Sequence, residues 1–322
     1  MFEEELFGKN HFGIIKKKKL WPLTMQWFQI LGVQLPDDVS LIKKEVRRLK
    51  KKYSSKFGNI LFQRGVTNQM ISFENISHRS KQFKEDVKSM RLSIRHWLTS
   101  LAWLNISFRE NMPEANIVYE ITKSDDQLIA EMNSGCKERV RKSIKKWATF
   151  RVADPSEYKQ FYADWKRLAW SKGFNIIPYD TYEKLANYIT ENSCGNVFVA
   201  EMKGELIAGS ICIYDEHRII YLYGFASREK KFRNVGAHHF LKFKIFGWAR
   251  DNGLTYCDML GGAPTGFDDH SLAWVSKFKE SLGWIKIEYY GNYDIILNPL
   301  LYRVFAWQAN RRKKKKKNKR KK

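Results

Sequence analysis

Residues 196–226 read NVFVAEMKGELIAGSICIYDEHRIIYLYGFA. Apolar residues alternate through 196–202, 206–214 and 218–226, and the runs are separated by Lys203-Gly204-Glu205 and Asp215-Glu216-His217. Period-two alternation broken by short turns specifies strands joined as hairpins, so this stretch is an antiparallel meander. Downstream, the spacing predicts a helix over 234–251 that stops at Gly253, and a strand at 255–260 entering a loop at 261–271. A helix through Phe278, strands near 285–290 and 293–297, and a last helix from Pro299 complete that side.

Upstream, residues 116–121 alternate like a strand. Ser124-Asp125-Asp126-Gln127 has the form of a capping box and opens a helix. That helix carries Leu128 and Met132, breaks near Gly135, and resumes through Arg139, Arg141, Ile144 and Trp147. A further helix follows Pro155, with Phe161, Trp165 and Leu168 on its apolar side. Nearer the amino end, 37–53 reads as a helix with Val39, Ile42, Val46, Leu49 and Tyr53 on one face, and 59–63 as a short strand. Residues 80–98 read as a second helix whose stripe is Phe83, Val87, Met90, Ile94 and Trp97. The apolar stretch 20–35 follows four lysines but contains Pro22, Gln26, Gln29 and Gln34. It is too short and too polar for a membrane span, and reads as an internal core segment rather than a signal or an anchor.

The chain has 322 residues, 43% of them hydrophobic, which excludes global disorder and leaves room for two domains. Its formal net charge is +24, of which eleven charges lie in 311–322. The body is therefore basic without that run, and attracts polyanions: nucleic acid, anionic lipid headgroups or phosphorylated substrates. The tail cannot bury a core and is expected to be disordered. It is read as a membrane tether, with a tRNA-backbone clamp and a plain solubility tail as rivals. Cys136, Cys194, Cys212 and Cys257 show neither CxxC nor zinc spacing, and read as reduced thiols.

Four segments carry a resemblance. They are Met112-Pro113-Glu114-Ala115 leading to Met132 and the basic run 139–146; YLYGFAS at 221–227; ARDNGLTYCDMLGG at 249–262; and KFKESLG at 277–283. In order and spacing they resemble the Fem family (FemA, FemB and FemX), peptidoglycan bridge-forming aminoacyltransferases with two GNAT-like domains. The resemblance implies an α+β, GNAT-like (acyl-CoA N-acyltransferase) fold, with one complete domain and a reduced amino-terminal one. The expected division is 1–114, reduced domain; 115–297, transferase domain; 298–310, a helix packing on the first domain; and 311–322, the tail. The family's phosphate-holding arginine before a proline is here Ile177, before Pro178, which is a departure; the coiled-coil arm of some members is absent, which places this chain nearer the arm-less ones.

The implied donor is aminoacyl-tRNA, and the implied acceptor is the stem peptide of lipid II or of UDP-muramyl-pentapeptide. The setting would be the cytoplasm, with peripheral contact at the inner membrane surface and a monomeric protein. No cofactor or metal is called for, because an aminoacyl ester is already activated. What such a transfer needs is a fixed cation or N–H donor at the developing oxyanion. The resemblance assigns that role to Lys279 of the Phe278-Lys279 pair; a solvated surface lysine is the bland alternative. Asp258, beside Gly261 and Gly262, could orient the amine or accept its proton, or could cap the next loop. Tyr221 and Tyr223, two apart, are expected on one side of a strand lining the precursor site, or as buried core tyrosines. Arg139, Arg141 and Lys145 are candidates for diphosphate or tRNA-backbone contact, or for a solvated helix face. Arg233-Asn234-Val235-Gly236-Ala237 is similar, in degenerate form, to a pyrophosphate loop, with Arg233 as ligand. That keeps an acyl-CoA-dependent N-acyltransferase open as a second reading. A non-catalytic RNA- or membrane-binding protein on the same scaffold is a third. His238 and His239 read as structural.

Overall fold

The computed structural model describes residues 2–6, 9–20, 23–33, 38–52, 58–64, 69–74, 81–101, 104–107, 113–146, 148–232, 234–283, 285–289 and 291–319. The amino region contains β1 (Phe2–Leu6), β2 (Lys9–Leu20), β3 (Leu23–Val33), α1 (Val39–Lys52), β4 (Gly58–Arg64), β5 (Gln69–Glu74), α2 (Lys81–Leu101) and β6 (Asn105–Ile106). There follow β7 (Ala115–Glu120), α3 (Asp125–Glu131), α4 (Ser134–Lys145), β8 (Thr149–Val152), α5 (Tyr158–Lys172) and α6 (Tyr179–Glu191). The meander is β9 (Gly195–Met202), β10 (Glu205–Tyr214) and β11 (Arg218–Ala226). The remainder is α7 (Ala237–Asp251), β12 (Tyr256–Gly262), α8 (Ala273–Glu280), β13 (Ile285–Tyr289), β14 (Tyr293–Ile296) and α9 (Pro299–Lys319).

Two sheets result. One runs β1-β2-β3-β4-β14-β6, the other β5-β13-β7-β12-β11-β10-β9-β8. Strands cross the 114/115 position in both directions: β5 joins the second sheet, and β14 lies between β4 and β6 in the first. The amino region thus holds more β-structure than its sequence suggested. The lysine run at 16–19, which breaks apolar alternation, pairs register by register with 24–27 of β3. Backbone pairing there overrides side-chain pattern.

The second sheet has a core on each face. Leu128, Val140, Phe240, Ile245 and Phe246 pack on one side, and Phe161, Trp165, Tyr182, Ala186 and Ile189 on the other. The Ser124 capping box is present as read, with reciprocal bonds to Gln127. Asn133 caps α4 through Cys136 N, so the chain breaks at Met132–Asn133 just before the expected Gly135. On α1, Ile42, Val46 and Leu49 are buried as expected. On α2 the expected stripe is rotated: Met90 is exposed, whereas Arg91 is 1% exposed beside buried Val87 and Leu98.

Arg91 is buried because it meets acceptors. It donates to Tyr289 O (2.8 Å), to the backbone oxygen of Glu114 (3.3 Å) and to the Glu288 carboxylate. Glu288 in turn accepts from Thr265 N (2.9 Å) and Thr265 Oγ1 (2.6 Å). This network ties α2 to β13 and to the loop that follows β12.

Helix α9 continues to Lys319, so the backbone of the basic run is helical where disorder from Arg311 was expected. Lysine and arginine are good helix formers, and cations favour a helix carboxyl end. Side chains beyond 311 lie outside the described residues. Among the described residues, no helix is long and apolar enough to cross a membrane.

Candidate active site

Strands β11 and β12 are parallel and pair only through Arg218–Ile220 and Tyr256–Asp258. Beyond that point both deviate. In β11, Cys212 pairs with Tyr221 and Ile211 with Tyr223, so Leu222 is an extra residue in a bulge. In β12, the register against β7 shifts between Asp258 and Gly261, and Leu260 adopts a left-handed φ of 53°. Two irregularities at one level part the strands and open a gap toward their carboxyl ends.

Lys279 lies against the β12 side of this gap and is 7% exposed. Its Nζ donates to three backbone oxygens, those of Met259 (2.6 Å), Leu260 (3.2 Å) and Gly261 (2.5 Å). The ammonium therefore holds the left-handed turn of β12 in place, with all three of its protons engaged. Burial lowers its pKa to about 8, against the attraction of Asp258 and Cys257. The reading of a solvated surface lysine is excluded. Phe278 stacks on His238 with ring centroids 4.5 Å apart, and meets His239 edge-on at 5.0 Å.

Asp258 is committed on the neighbouring strand. Asn116 Nδ2 donates to both of its oxygens (3.1 and 2.9 Å), and Leu260 N donates to Oδ1 at 2.7 Å. The capping alternative describes this geometry, since the carboxylate closes the turn two residues on.

Tyr221 and Tyr223 do not share a face. The Leu222 bulge turns Tyr221 toward α7 and Tyr223 toward α5, where it packs on Trp165 at 4.7 Å. A single inserted residue reverses every later side chain in a strand.

Lys242 was not singled out in the sequence, though it is central. It is fully buried on α7, one turn after His238. Its Nζ donates to Ser210 Oγ at 2.7 Å and lies 2.9 Å from the Tyr221 ring centroid. Burial lowers its pKa to about 7, and the positive charge of Lys279 adds to the fall. The signal was available: 238, 242, 245 and 249 form one helical stripe, apolar at Ile245 and Ala249, with a lysine inside it. His238 is driven well below its ordinary pKa by burial and by Lys242, so it is neutral.

A depressed lysine carries a stability signature. Below about pH 7 the folded protein holds a buried ammonium at a cost; between pH 7 and about 10.5 the unfolded chain binds the extra proton, so stability rises with pH. Lys242→Met is therefore expected to be more stable than the parent at pH 6–7, about, with the advantage shrinking toward pH 10. Urea midpoints of the two proteins across that range measure it. A difference that does not vary with pH would mean that Lys242 stays charged across the range in the folded protein, with its pKa not lowered.

Of the basic candidates, Arg139 contacts His239 beside the gap. Its Nη1 is 3.4 Å from His239 Nε2, and its backbone packs under Gly236, the left-handed residue that opens α7. Burial lowers the His239 pKa to about 4, and Arg139 adds to the shift. Arg141 and Lys145 are exposed on α4. Arg233 lies outside the described residues. Ile177 packs in the α5–α6 core, where its carbonyl accepts from Tyr162 Oη at 2.8 Å.

Residues 134–269 match the family model of the acetyltransferase (GNAT) domain. The chain is 31% identical over 104 residues to lipid II:glycine glycyltransferase of Staphylococcus saprophyticus, covering 32% of this chain and 24% of that one. It is 30% identical over 104 residues to the Staphylococcus aureus protein of the same name, with the same coverage. The chain thus spans about a quarter of the length of the curated relatives it matches. The crystal structure of FemX superimposes with a TM-score of 0.65 at 16% identity, over 94% of this chain and 89% of that chain. FemX therefore shares the fold of this chain, and residues 134–269 form a GNAT-type domain within it.

Proposed function

We propose that this protein is an aminoacyltransferase that moves an amino acid from aminoacyl-tRNA to an amine on the stem peptide of a peptidoglycan precursor. The observation that carries the reading is the strand gap bordered by the buried charge of Lys279, with no Ser-His-Asp or Cys-His constellation among the described residues around it. Such a site suits an ester that is already activated.

In this mechanism the acceptor amine attacks the ester carbonyl in the gap. The oxyanion of the tetrahedral intermediate forms within the field of Lys279, which is the main demand on the protein. Collapse expels the ribose hydroxyl of the tRNA, which takes the proton lost by the amine. Lys279 acts through charge and by fixing the β12 turn. Asp258 and Asn116 support the same turn. Tyr221 and Phe278 form the apolar wall, and the basic surface of α4, with Arg139, Arg141 and Lys145, lies on the path of an incoming polyanion.

The acyl-CoA reading makes the opposite donor claim, so one assay separates them. Purified protein with charged tRNA and labelled precursor, lipid-linked and soluble, is run beside acetyl-CoA. Label is expected to pass from aminoacyl-tRNA to precursor, and none from acetyl-CoA. Transfer from acetyl-CoA alone would give the second reading, and transfer from neither would favour a binding protein on a GNAT scaffold.

A further inference from the structure

Helix α5 ends in an exposed aromatic turn. Its buried stripe, Phe161, Trp165 and Ala169, faces the sheet, and Trp170 points the other way, 89% exposed. Gly173, left-handed at φ 68°, closes the helix, and Phe174 N returns to Ala169 O at 3.1 Å, which leaves the Phe174 ring exposed. Trp274, in the first turn of α8, is 71% exposed, with exposed Val275 beside it. Lys172 Nζ lies 4.8 Å from the Trp274 ring centroid, so the end of α5 and the start of α8 form one patch. Lys166 and Lys277 are exposed on the same two helices.

Tryptophans left in water at one place mark an interaction surface. This one is built from a helix end and a helix start. Trp is amphipathic and favours the headgroup level of a bilayer, and lysines beside it reach lipid phosphates. A single-stranded nucleic acid would also stack on tryptophan, but it favours a groove and free ring faces. Here part of the patch is aliphatic, at Val275, and one Trp274 face is already covered by Lys172. We infer that Trp170, Phe174 and Trp274, ringed by Lys166, Lys172 and Lys277, form a docking surface for an anionic lipid bilayer. Trp274 stands one helical turn before Phe278, so docking would bring the strand gap close to the membrane. The inference does not depend on the transfer reaction.

The test uses the full chain and vesicles of equal parts phosphatidylcholine and phosphatidylglycerol. The parent is compared with the double variant Trp170→Ser/Trp274→Ser by co-sedimentation at low salt and at about 0.5 M, where the contribution of the 311–322 charges is screened. The parent is expected to keep part of its binding at high salt, and the variant to lose about tenfold or more of that part, with an unchanged melting temperature because both side chains are exposed. Undiminished binding by the variant, or no parent binding at either salt, overturns the proposal. So does a variant that loses charged tRNA while keeping vesicles, which would make the patch a nucleic-acid platform.

Discussion

Lys279→Met is expected to lower transfer about a hundredfold and to destabilise the fold by about 3 kcal/mol. The two losses have separate causes. The folding loss comes from the oxygens of Met259, Leu260 and Gly261, which share one ammonium. A buried acceptor left without a donor costs about 1–3 kcal/mol, and water entering the gap recovers part of this. The rate loss comes from removing a fixed positive charge beside a developing oxyanion. Urea denaturation reads the first and turnover per folded molecule reads the second. Lys279→Arg sharpens the distinction, because a planar guanidinium keeps the charge but cannot place protons on three converging carbonyls. The lysine loses its charge as pH rises through about 8, its lowered pKa, whereas arginine stays charged. The parent is therefore expected to show a falling rate limb above pH 8 that Lys279→Arg lacks. Unchanged turnover of Lys279→Met at saturating donor would remove this residue from the chemistry, whatever happens to stability.

Arg91→Met is expected to cost about 3–5 kcal/mol, the larger of the two effects on folding. Arg91 is 1% exposed and Glu288 fully buried, and the arginine also holds two backbone oxygens across the boundary between α2 and β13. Without it, the Glu288 carboxylate keeps Lys286 only at 3.9 Å, beyond hydrogen-bond distance. Glu288 also anchors Thr265, so amide exchange in 263–272 should speed up more than exchange in the meander. A loss under 1 kcal/mol, about the worth of an exposed pair, would show that water reaches the network.

The meander was legible because strong alternation and two tight turns leave little choice: β11 was read at its full extent, 218–226. The capping box at Ser124 was equally local. What escaped depends on contacts remote in sequence. The α6 helix was not read, and the first three strands form through pairing partners that their side-chain pattern does not announce. Arg91 took a core position away from Met90 because Glu288, 197 residues later, receives it. At the site, Phe278 and Lys279 were found through a family motif, yet motif and spacing are silent about three carbonyls converging on one ammonium. The Leu222 bulge had no local mark, so two tyrosines were placed on one face. Lys242 was hidden by abundance: in a chain with 58 lysines and arginines, one more in a helix attracts no notice.

The exchange of strands between the sheets bears on how the chain is made. Strand β13 fills the place between β5 and β7, and β14, a few residues later, fills the place between β4 and β6. On the ribosome, then, the second sheet cannot be completed until residue 289 has emerged, nor the first until residue 296. Until then β4 and β7 each keep an open backbone edge, the kind of surface that recruits strands from other nascent chains. Synthesis from the amino end thus gives no early-folding first domain to shelter the second, and the two sheets close almost together, late, around one short segment.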